Sequence, residues 1–149
     1  MNARLLLSLL LLVSACLSAS AVSIGVNFSV DKNWGGGQYN SALHPDETAG
    51  VVPQENWNSF DVNLASETNT PIALTNNFGN ATDVTITWHA TTSFYNNDFD
   101  ASTSDNKLMQ NMLKSGSDEG DTITVSVANV TADFTSPGYD VLVYSAPQS

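Results

Sequence analysis

The stretch "DVTITWHA" (83–90) places Val84, Ile86 and Trp88 on one side of an extended chain, and Asp83, Thr85, Thr87 and His89 on the other. A period of two is what a strand with one buried and one wet face requires. The device recurs on both sides of it. "SIGVNFSV" (23–30) alternates Ile24, Val26, Phe28 and Val30 with Ser23, Gly25, Asn27 and Ser29. "TITVSVANV" (122–130) sets Ile123, Val125 and Val127 inward, and "YDVLVYS" (139–145) does so with Tyr139, Val141 and Val143. "TPIALTNNFGNA" (70–81) adds a weaker strand over Ile72 to Leu74, followed by a turn at Gly79. Clusters of Asn, Asp, Ser, Thr and Gly separate these runs, the pattern of an all-β chain. The expected architecture is an antiparallel β-sandwich of jelly-roll type. Five or six strands are legible where a closed jelly roll has about eight, so the domain is expected to be incomplete at its C-terminus.

One segment departs from the pattern. "SDNKLMQNMLKSG" (104–116) spaces Leu108, Met109, Met112 and Leu113 as a helix does, with Ser104 or Asp105 as N-cap and Gly116 as the stop. A short helix of two to three turns is expected there, its methionines serving as core filler.

A chain of 149 residues allows one domain. Its first segment is a leader: Arg4, then "LLLSLLLLV" (5–13), then small residues. That apolar run is too short to cross a bilayer of roughly 30 Å as a helix. "ASA" (19–21) fits signal peptidase and leaves a mature domain over 22–149. The alternative is the lipobox-like "VSAC" (13–16), a lipoprotein signal over 1–15 that would lipidate Cys16; it would leave only about seven residues of tether before the first strand. Either route places the protein outside the cytoplasm, secreted or at the cell envelope, with no transmembrane span in the mature chain. Cys16 is the single cysteine, so no intrachain disulfide supports the fold.

The net charge is −11, and with Arg4 removed only Lys32, Lys107 and Lys114 face fifteen acidic side chains. Phosphate backbones repel such a polyanion, which excludes nucleic acid as a partner. An acidic surface serves solubility or holds divalent cations.

"AGVVPQENWNSF" (49–60) is too polar for a core strand and too apolar for an ordinary loop. Pro53 interrupts any central strand, so the stretch is expected to cross between sheets. Trp57 then plugs the core while Asn56 and Asn58 cap turn backbones. The competing role for Trp57 is a stacking platform for a sugar ring.

The order "IGVNF", "AGVVPQENWN", "VTITW", "NKLMQNML", "GYDVLVYS" resembles a family of uncharacterised exported proteins of planctomycete- and verrucomicrobia-type bacteria. The resemblance covers most of residues 23–145. It implies a jelly-roll sandwich behind a signal peptide, and a pattern that continues past the last of these motifs, and it implies no agreed biochemical role. Longer members carry glycan-recognition modules or a C-terminal sorting tail. It also argues against use of the sequons at Asn27, Asn80 and Asn129, which matter in a eukaryotic secretory pathway.

Chemistry-bearing patterns are sparse. His44 and His89 lie far apart, and no G-x-S-x-G marks a nucleophile. Paired carboxylates are a spatial arrangement, so a glycoside-active enzyme fragment stays as a distant third reading. "NNDFDASTSDN" (96–106) offers Asp98, Asp100, Ser102 and Ser104 at alternate positions as oxygen ligands for Ca²⁺, but Thr103 and Met109 stand where an EF-hand has Gly and Glu. "SDEGD" (117–121) is a turn and a weaker candidate. "KNWGGGQYN" (32–40) is not a phosphate loop; its glycines with Trp34 and Tyr39 suit a flexible loop that touches carbohydrate. The expectation is therefore a non-catalytic structural or adhesive surface module. The alternative is a carbohydrate-binding module, Ca²⁺-stabilised, that uses Trp34, Tyr39 and Trp57 toward an extracellular glycan or envelope component.

Overall fold

The structure, a computed structural model, describes residues 21–29, 31–34, 37–62, 67–96, 100–116, 121–135 and 138–145. In chain order the elements are β1 (Val26–Ser29), β2 (Asp31–Trp34), β3 (Gly37–Asn40), β4 (Asn58–Asp61), β5 (Glu67–Thr75), β6 (Ala81–His89), β7 (Thr92–Tyr95), α1 (Ser104–Gln110), β8 (Asn111–Lys114), β9 (Thr124–Ala128) and α2 (Ala132–Thr135). The fold is all-β with short helices. β6 is the centre of an antiparallel sheet ordered β5-β6-β9; β2 pairs with β3 and β7 with β8, also antiparallel. β1 and β4 form a parallel pair, a departure from the antiparallel expectation.

β6 follows its sequence pattern. Val84, Ile86 and Trp88 are buried while Asp83 and His89 are exposed. β5 reaches it through the turn 76–80, where Asn76 Oδ1 accepts from the amides of Phe78 and Asn80 at 3.0 and 3.1 Å. Pro71 lies inside β5, where the register with β6 shifts between Thr68 and Ile72, the irregularity that lets a residue without an N–H stay in a ladder. Trp88 fills the space between this sheet and the β1–β4 pair. Phe28 meets its ring edge-on at 5.5 Å and Phe60 packs tilted at 5.1 Å, and these two phenylalanines are register partners across β1 and β4. Val62, Leu74, Ala90 and Leu113 complete the buried cluster.

Asn58 ties the two layers together. Its Nδ2 donates to the carbonyls of Gly25 and Thr75 at 2.9 Å each, and its Oδ1 accepts from Thr75 N at 2.9 Å and Thr75 Oγ1 at 3.1 Å. Both donors and both lone pairs of the amide are thus engaged. Nearby, Asn56 adopts φ 55° and donates to Asn77 O at 3.0 Å, so both asparagines bind backbone as the sequence suggested.

Four elements differ from expectation. In β1, Asn27 and Ser29 are buried, not wet: Asn27 Nδ2 donates to Ser41 O at 2.7 Å, and Asn111 Nδ2 donates to Ser29 O at 2.9 Å. β1 is therefore covered on both faces, by the aromatic core on one and by a polar layer on the other. The helix stops early. Thr103, not Ser104 or Asp105, is its N-cap, with Oγ1 accepting from Asn106 N at 3.1 Å, and Asn111 at φ −134°, ψ 149° turns the chain into β8. Met112 and Leu113 then pair with Phe94 and Ser93 instead of extending the helix, because the β7 ladder and the burial of Leu113 outweigh local helical spacing. Residues 32–34 and 37–40 do not form an open loop: they lie on β2 and β3, which pair with Trp34 in register with Gly37. Finally, 139–145 joins no ladder among the described residues: Tyr139, Val141 and Val143 are 67, 73 and 81% exposed. Its β-propensity lacks a neighbouring strand, and propensity alone does not hold a strand in water.

Asn58→Ala leaves the Thr75 amide and carbonyl without their partners. Equilibrium denaturation of this variant should show a loss of about 3 kcal/mol. A loss below about 0.5 kcal/mol would show that the amide does not tie the layers.

Candidate functional site

The loop 49–54 closes on itself through two backbone bonds of 3.1 Å between Ala49 and Gln54. Gly50 takes φ 97°, in the region that excludes most side chains, and a Cβ there would lie 2.9 Å from the Tyr144 hydroxyl. Two long-range bonds fix the loop. Gly50 N donates to Asp105 Oδ1 on α1, and Val51 N donates to Tyr144 Oη, both at 2.8 Å. Between these elements lies a groove of about 250 Å³ lined by Gly50, Val51, Asp105, Leu108, Met109 and Tyr144. Its walls are largely apolar, with one carboxylate and one phenol at the rim. Sequence reasoning missed it, because the partners lie 55 and 93 residues apart and carry no local motif.

Trp57 stands behind this groove. It is half-buried against Leu43, Ala49 and Leu108; its Nε1 donates to Gln54 O at 3.0 Å, and Tyr144 meets its ring edge-on at 6.3 Å. A Cβ on Gly25 would lie 2.6 Å from its ring, so that glycine closes one side of the indole. Trp34 ends β2, and Tyr39 lies on β3 in register with Lys32; their side chains fall outside the described residues.

Of the expected calcium ligands, Asp98 lies outside the described residues. Asp100 is exposed, and its Oδ1 accepts from Ser102 N at 3.1 Å, from Ser102 Oγ and from Asn106 Nδ2 at 2.9 Å. These bonds, the Ser102 hydroxyl first, hold its carboxyl below the ordinary value. The same oxygen thus organises the approach to α1, and Ser104 is the first helical residue. Among the described residues no group of three or more His, Cys, Asp or Glu side chains gathers as metal ligands do. The lipidation candidate Cys16 and most of the "SDEGD" turn also lie outside the described residues.

Among the described residues two pairs of ionisable side chains meet. His89 Nδ1 and Glu67 Oε2 are 2.7 Å apart on the exposed side of the β5–β6 sheet. Lys107 on α1 reaches Glu47 at 2.5 Å, with both side chains mostly covered, and Glu47 Oε2 accepts from His44 N at 2.7 Å. Burial pushes the Glu47 carboxyl upward, but the Lys107 and His44 bonds and the lysine charge together hold it below its ordinary value.

The largest anomaly is on β9. Val125 is in register with Trp88 and Val127 with Ile86, so both valines share the core-facing side of the sheet. Yet Ile123, Val125 and Val127 are 45, 44 and 53% exposed. The layer that covers β5 and β6 does not extend over β9. Together with Val130, Tyr139, Val141, Leu142 and Val143, these residues gather most of the exposed large apolar side chains of the described chain between 123 and 143.

Comparison with protein-family models, with curated proteins and with solved structures returns no match. No helix among the described residues is long and apolar enough to cross a membrane.

A depressed carboxyl pKa in the folded state means that the unfolded chain binds more protons as the pH falls, so stability is lost toward acid. The Glu47 contribution is fully present above pH 4.5, its ordinary value, and disappears as the pH falls through the lower folded value. Lys107→Met should cost about 1 kcal/mol at pH 7 and flatten the acid limb of a melting-temperature profile below pH 4.5. An unchanged acid limb would separate Glu47 from Lys107.

Proposed function

We propose that this chain is an exported structural or adhesive module of the cell surface, folded as a jelly-roll-like β-sandwich, that works by contact through the uncovered face of β9. The observation that carries this is the mismatch on one sheet: Ile86 and Trp88 are buried while their register partners Val127 and Val125 stand half in water. Exposed apolar strips of this kind mark interaction surfaces. The leader-like start, the acidic surface and the resemblance to uncharacterised exported proteins support export.

Glycan binding is the second reading, favoured by the groove beside Trp57. There Asp105 can accept from sugar hydroxyls, the Tyr144 hydroxyl can donate, and Leu108 and Met109 offer an apolar wall. Ca²⁺ near Asp98 and Asp100 would belong to that alternative.

One binding assay separates them. The purified protein is sedimented with envelope material of the source cells, alongside a Val125→Lys/Val127→Lys double variant. Burying two valines contributes roughly 3 kcal/mol, so the variant should bind at least about tenfold more weakly. Retention that ignores the valine changes but is competed by free sugars would overturn contact through β9 and assign binding to the groove.

A further inference from the structure

We propose that β9 pairs edge to edge and antiparallel with β9 of a second copy of this chain, joining two three-stranded sheets into one of six. This rests on the reading of β9 as a contact surface and names its partner. Among the described residues β6 is bonded on both sides, whereas β9 carries a ladder on one side only. Its five residue pairs with β6 run without a register shift. An edge of this kind presents free N–H and C=O groups, and proteins normally blunt it with charge, proline or a bulge. The segment 122–132 has neither charge nor proline, in a chain of net charge −11, and all eleven of its residues are exposed.

The occupant follows from charge and register. Copies of a polyanion repel one another, and the repulsion is least where acidic residues are missing. A basic partner would be steered to the acidic surface, and an anionic lipid surface would repel the chain. The strand is also self-complementary. Antiparallel pairing about Ser126 sets Val125 opposite Val127 of the second copy, Thr124 opposite Ala128, and Ser126 opposite its own counterpart. Paired β-branched and hydroxyl side chains are favourable cross-strand neighbours. Within 121–131 the one acidic residue, Asp121, falls opposite Thr131, so no two carboxylates face each other across the paired strands. Such a contact is isologous and closes at two copies. The uncovered valines of both copies then form one continuous strip on the core-facing side.

The test is sedimentation of the full chain over a range of concentrations and salt. The wild type should form a dimer that strengthens when salt screens the acidic surfaces. Ser126→Lys and Ser126→Asp should each be monomeric, because like charges meet at the two-fold axis, and an equimolar mixture of the two should recover the dimer. Should these variants lose the fold, Ser126→Cys in a Cys16→Ser background gives an independent answer: it should oxidise to a cross-linked pair, while Thr124→Cys, placed opposite Ala128, should not. A wild type that stays monomeric at about 1 mM, near the weakest useful affinity, overturns the proposal. So does a dimer indifferent to both charges at 126, which would point instead to exchange of the 139–145 segment. A monomer whose envelope binding still falls with the valine changes would leave the contact reading standing and remove the self-pairing. A dimer whose envelope binding ignores those changes would do the reverse.

Discussion

The amide of Asn58 is the constraint around which the fold closes. It begins β4, receives both hydrogen bonds from Thr75 at the end of β5, and holds Gly25 just before β1. One side chain therefore fixes the spacing between the β5-containing sheet and the β1–β4 pair. Trp88, Phe28 and Phe60 fill the gap so defined. With no disulfide to tie the layers, a fully satisfied amide and an aromatic trio carry what a covalent link does elsewhere. Each acts where the other cannot: dispersion has no direction, and hydrogen bonds fix register.

This arrangement also explains the uncovered strand. The aromatic trio and its aliphatic neighbours lie over β5 and β6, and the sheet simply continues beyond them to β9. Ile123, Val125 and Val127 keep the core-facing alternation of a strand that expects a cover. The 139–145 segment has the composition to supply one. Instead its described contacts are at Tyr144, whose phenol accepts from Val51 N and whose ring abuts Trp57 beside the α1 groove. Surface chemistry and fold thus point the same way. The acidic residues keep the rest of the chain apart in solution, and the uncharged stretch 122–132 is where approach costs least.

How much of this the sequence disclosed varies with the kind of signal. β6 was legible because its period-two pattern and its burial coincide. The asparagines of "NWN" were legible as backbone binders, but not their targets, since Gly25 and Thr75 are distant in sequence. Asn27 and Ser29 read as wet by polarity alone, because a buried amide with a carbonyl partner looks the same in sequence as a wet one. Leu108, Met109, Met112 and Leu113 fit a helix and a helix-to-strand junction equally well, and only the pairing of β8 with β7 decides between them. "YDVLVYS" reads as a strand and has no ladder among the described residues, because pairing is a property of two segments. The groove was invisible for the same reason.

The core is covered at β5 and β6 and open at β9 and beyond. Amide hydrogen exchange on a dilute sample, resolved residue by residue, tests it most directly, since protection reports the local free energy of opening. The slowest exchange is expected at Val84, Ile86 and Trp88, with clearly faster exchange across 124–128 and no protection at 139–143. Protection at 139–143 equal to that of β6 in the dilute monomer would contradict it, because that segment would then close the sheet and leave no face to offer.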